Sequence, residues 1–166
     1  MMRLMHERIR HTLYSMRPGL RARWEVLLRQ APVHSPLAAP DVLVHLMDWT
    51  LEEFFKALTS PPNRRRPRPS TSPVTYYCPC GSNPLQTYFS CFKQTLHEAL
   101  EKINRAGLCT TVAERDIIAT ETEIAFALVS NRELETFCSV CRHSHTLTEN
   151  AVDRGTEKVS LQSSAP

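Results

Sequence analysis

Residues 78–141 read CPCGSNPLQTYFSCFKQTLHEALEKINRAGLCTTVAERDIIATETEIAFALVSNRELETFCSVC, and this stretch decides the fold. Asn83 can cap a helix and Pro84 can take its first position, where a missing N–H costs nothing. Leu85, Tyr88, Phe89, Phe92, Leu96, Leu100 and Ile103 then recur at three- and four-residue spacing, which predicts an amphipathic helix ending at Gly107. Thr111, with Glu114 three residues on, forms a capping box that opens a second helix through Ile117, Ile118, Ile124, Ala125, Leu128, Leu134 and Phe137.

The two helices, Pro84 to Ala106 and Val112 to about Cys138, have similar expected lengths of ~35–40 Å at ~1.5 Å per residue. A short connection forces them antiparallel, so the start of the first lies beside the end of the second. That brings Cys78 and Cys80 next to Cys138 and Cys141. Four thiolates suit zinc, which favours tetrahedral sulfur coordination and has no redox chemistry. His143 and His145 stand close enough in sequence to replace one thiolate or to donate a hydrogen bond to it. Cys91 and Cys109 are single and take the role of small apolar side chains, and His45 and His97 read as ordinary helix-face histidines.

Outward from the hairpin, the 166-residue chain is 42% hydrophobic and 22% charged, with 4 Gly against 12 Pro, a composition for helices rather than turn-rich sheets. Residues 1–77 hold 12 Lys and Arg against 6 Asp and Glu, and the remainder 8 against 11, so a net +3 divides into +6 and −3. No apolar run approaches the ~18–20 residues of a membrane span, and no secretion signal follows the N-terminus. Both observations predict a cytoplasmic protein, where paired cysteines serve metal or redox chemistry rather than a disulfide framework. Met1, Met2, Met5 and Met16 each offer a start.

The first segment, Met2 to Met16, places Leu4, Met5, Ile9 and Leu13 near helical spacing and is expected to end at Pro18-Gly19. A second helix from Leu20 carries Leu20, Trp24, Leu27 and Leu28 on one face and stops before Ala31-Pro32. A third begins around Pro40-Asp41, with Leu43, Leu46, Met47, Leu51, Phe54, Phe55 and Leu58 as its apolar face. Residues 59–75, TSPPNRRRPRPSTSPVT, have the composition of an extended linker, and the tail beyond Thr148 is polar. The expected architecture is all-α: an N-terminal small helical unit over 1–58, a Pro/Arg-rich linker over 59–75, a metal-clamped antiparallel hairpin over 76–147 and a disordered tail over 148–166.

The stretch LRARWEVLLRQAPVHSPLAAPDVLVHLMDWTLEEFFKAL, within residues 17–60, resembles the N-terminal helical sensor domain of co-antagonist proteins in bacterial stress signalling. There, a helix with an arginine and a tryptophan precedes a leucine-rich helix. The resemblance implies a bacterial signalling protein and carries over no catalytic residue. In that family a phosphorylatable signalling domain or a kinase follows, and neither pattern appears in residues 61–166.

Three functions compete. A zinc clamped by four protein thiolates has no open position for substrate, so the first reading is a non-enzymatic interaction or regulatory protein with a protein partner. The second is a thiol redox sensor using Cys138 and Cys141, although a pair at a helix C-terminus faces the negative end of the dipole, which opposes a thiolate. The third is nucleic-acid binding through Arg64, Arg65, Arg66 and Arg68, disfavoured because no aromatics interleave with them. An iron–sulfur cluster is the alternative occupant for four cysteines, and ranks below zinc.

Overall fold

The computed structural model describes residues 2–33, 36–60, 83–108 and 111–140, and all regular structure among them is helical. The helices are Met2–Ser15 (α1), Arg17–Gln30 (α2), Pro40–Leu43 (α3), Met47–Thr59 (α4), Pro84–Arg105 (α5) and Val112–Val140 (α6). Tight three-residue turns at Pro36–Ala38 and Val44–Leu46 flank α3.

Pro18 does not end a helix in a loop, as its sequence context suggests. It stands in the first turn of α2, and Met16 alone separates α1 from α2 with near-helical dihedrals of φ −82° and ψ −2°. A proline lacks the N–H for the bond to Tyr14 and crowds that carbonyl, so the hydrogen-bond ladder of α1 does not run on unbroken into α2. Further on, the third expected helix divides at Val44–Leu46, where the winding tightens. Three residues per turn instead of 3.6 rotate the following side chains, and Leu46, read as apolar-face, is exposed.

The hairpin starts and stops as the sequence dictates. Oδ1 of Asn83 accepts from the Leu85 N–H at 3.0 Å, giving α5 its cap. At the other end Gly107, at φ +69°, donates to the Asn104 carbonyl at 3.1 Å while Leu108 donates to that of Ile103 at 3.3 Å. These two bonds make a Schellman turn, which needs the left-handed conformation that glycine adopts without strain. Thr111 and Glu114 form the expected reciprocal pair at the start of α6, at 2.9 and 3.2 Å.

The helices are less equal than expected, 22 residues in α5 against 29 in α6. They are antiparallel nonetheless: Asn83 meets Cys138, and Lys93 pairs with Glu123 further along. In the same way α4 runs against α6, where Arg132 contacts Glu53 and lies over the Trp49 ring, and α2 runs against α5. The result is a four-helix arrangement of α2, α5, α6 and α4, with α1 laid against α2 and α4.

The helical units read on either side of residues 59–75 share one core. Trp24 is fully buried, stacked on Phe92 with ring centroids 4.3 Å apart and tilted against Tyr88 at 4.4 Å. Its indole N–H reaches the Tyr88 carbonyl at 3.0 Å, and the Tyr88 hydroxyl meets that of Thr50 at 2.9 Å. Burial holds the Tyr88 phenol well above its ordinary pKa, with the Thr50 bond pulling the other way. At the edge, Arg23 grips Glu98 through two bonds at 2.7 and 2.9 Å, and Arg10 reaches Glu121 at 3.1 Å.

On α6 the buried side chains are Ile118, Thr122, Ala125, Phe126, Val129, Ser130 and Leu134. Phe126 and Val129 fall outside the apolar face read from sequence, because α6 is covered by α4 on one side and α5 on the other. No helix among the described residues is long and apolar enough to cross a membrane.

Candidate functional site

Cys138 lies two residues before the end of α6, partly buried, and Asn83 donates from Nδ2 to its Sγ at 3.6 Å. Asn83 is itself buried, and Pro84 behind it is buried on the same turn. Fifty-five positions of chain are thus closed into one contact at the open end of the hairpin.

Cys78, Cys80, Cys141, His143 and His145 lie outside the described residues, as do Arg64, Arg65, Arg66 and Arg68. Cys80 is three residues from Asn83 and Cys141 three from Cys138, and an extended chain covers at most ~3.6 Å per residue. Among the described residues alone, no group of three or more His, Cys, Asp or Glu side chains is arranged to hold a metal ion.

Cys91 behaves as its sequence context suggests. It is buried on the inner face of α5, where loss of water pushes its thiol pKa up. Cys109 lies outside the described residues. His45 is exposed, and His97 is exposed with Nε2 4.0 Å from Glu123 Oε2.

Grooves mark the described surface elsewhere. One of about 720 Å³ runs between α1 and α4, lined by Arg10, His11, Tyr14, Glu52, Phe55 and Lys56 among others. Another of about 510 Å³ runs between α5 and α6 over Leu96, Leu100, Ile124 and Phe126, and the buried Thr122 hydroxyl there finds no hydrogen-bond partner among the described residues. Val42 in α3, Leu46 in the turn before α4 and Trp49 in α4 are 41–51% exposed.

Sequence reasoning read Asn83 as a cap and missed its bond to sulfur. The signal was its place three residues after Cys80, which puts a capping side chain at the mouth of the expected site. Comparison with family models, curated proteins and solved structures returned no match to this chain.

Proposed function

We propose that this is a non-enzymatic bacterial interaction or regulatory protein, a helical bundle whose hairpin is closed by one structural zinc on Cys78, Cys80, Cys138 and Cys141. The observation that supports it is the Asn83–Cys138 contact, since the chain entering α5 and the chain leaving α6 start from the same point. Two cysteines fall within five residues on one side and one within three on the other. Zinc–sulfur bonds of ~2.3 Å require sulfurs within ~4 Å of one another, a spacing that short tethers of this kind can satisfy.

A metal held by four protein thiolates supplies folding free energy rather than a reaction. Function then falls to the surface. The exposed side chains of Val42, Leu46 and Trp49 are apolar groups of the sort a protein partner covers, and they belong to the segment resembling the bacterial sensor domain.

Thiol titration of the native protein, with and without chelator, tests the metal. Four thiols that become reactive only after chelation support it. The same four reacting equally fast in both arms contradict it. A reversible Cys138–Cys141 disulfide with no bound metal replaces it with the redox-sensor reading.

A further inference from the structure

We infer that the groove between α5 and α6 is a binding site for a small, uncharged, mostly apolar molecule whose single oxygen accepts a hydrogen bond from the Thr122 hydroxyl. The site needs no metal, so the inference stands apart from the zinc reading.

Leu96, Leu100 and Phe126 give the groove an apolar wall, and its volume of about 510 Å³ falls within the ~300–1,000 Å³ usual for small-molecule sites. Thr122 lines the same groove and is 3% exposed, yet its hydroxyl has no hydrogen-bond partner among the described residues. Other helical threonines show what is missing. Thr95 donates to the Cys91 carbonyl at 2.9 Å, Thr59 to that of Phe55 at 3.0 Å and Thr136 to that of Arg132 at 2.8 Å, each four residues back on its own helix. Thr122 does not make the corresponding bond to Ile118. A buried hydroxyl without a partner costs stability that valine, of nearly the same shape, would not. Packing therefore does not account for an oxygen at this position, whereas a bound molecule with a polar atom does.

The rim sets the charge of that molecule. Lys93 is paired with Glu123, and Arg105 with Glu101 at 2.8 Å, so these charges are matched within the protein and suit an uncharged ligand. Lys93 also sets access to the floor of the groove. Its Nζ stands 5.7 Å from the centre of the Phe126 ring, and its side chain is 45% exposed. An ion pair that open to water holds the lysine weakly, and its outward swing uncovers Thr122 to the ligand oxygen.

Equilibrium dialysis of the full chain against 1-naphthol and against naphthalene tests this, because the two probes share a shape and differ by one oxygen. The native protein should bind 1-naphthol about tenfold more tightly, the worth of one hydrogen bond. Thr122→Val should abolish that preference, and the unliganded variant should melt at a higher temperature than the native chain, since the unpartnered hydroxyl has gone. Leu100→Phe, which fills the groove, should lose both probes; if that variant does not fold, the Thr122→Val comparison decides alone. No binding of either probe by the native chain, or equal binding of both, overturns the inference. So do a preference that survives in Thr122→Val, a lower melting temperature for that variant, or undiminished binding by folded Leu100→Phe.

Discussion

The indole N–H of Trp24 donates to the carbonyl oxygen of Tyr88 at 3.0 Å, across 64 positions of sequence, and joins the two halves of the chain inside one core. Trp24 and Tyr88 are 0% and 1% exposed, so both halves must unfold together. Trp24→Ala is expected to cost ~3–5 kcal/mol in urea unfolding, through lost burial and the cavity left behind. Trp49→Ala, on the exposed face under Arg132, should cost at most about 1 kcal/mol. Unfolding followed by circular dichroism and by Trp24 fluorescence, in a Trp49→Phe background, should coincide in one transition; two separate transitions would contradict a shared core.

Gly107 and Gly19 make a matched pair. A Cβ at either would meet nothing within 4 Å, so only backbone conformation distinguishes them. Gly107→Ala forces alanine to φ +69° and should destabilise by about 1–2 kcal/mol. Gly19→Ala, inside the first turns of α2, should stabilise by about 0.5–1 kcal/mol. Thermal unfolding of the two variants checks the opposite signs.

Arg23 holds the Glu98 carboxyl below its ordinary pKa, chiefly through their hydrogen bonds, and Lys56, followed by Arg132, does the same for Glu53. A carboxylate with a depressed folded-state pKa contributes stability above its unfolded value of about 4.3, and that contribution disappears as pH falls through the folded value. Both groups are at the surface, so each contribution is small. In chelator-treated protein, Glu98→Gln should lower the melting temperature at neutral pH, and the gap to the native protein should close below about pH 4. A gap of constant size down to pH 2 would contradict the assignment.

How much of this was legible in the sequence depended on range. Asn83-Pro84, Gly107 and Thr111 with Glu114 act within a few residues, and each begins or ends a helix as its chemistry predicts. Pro18 was misplaced by a single turn because proline suits the start of a helix as well as a break. Phe126 and Val129 were missed because α6 is covered on two sides, and no one stripe describes it. The Trp24–Tyr88–Thr50 cluster comes from three helices and has no local signature at all. At the site, the meeting of the two helix ends followed from antiparallel packing, whereas the sulfur bond of Asn83 depended on a rotamer that no spacing encodes.

Because α2 and α4 pack on the hairpin, removal of the proposed zinc should be felt beyond the cysteines. Chelation is expected to lower the melting temperature of the whole chain in one step, against a native stability of roughly 5–15 kcal/mol. Helices α1 to α4 surviving intact after chelation, read by hydrogen exchange, would show that the metal acts on the hairpin alone.

Metal content per chain is the most direct test, measured by elemental analysis on protein purified without added metal, beside Cys80→Ser and Cys141→Ser. One zinc per native chain, and far less than one in each variant, is the predicted result. A native protein free of zinc, or variants that carry as much zinc as the native chain, would contradict the account.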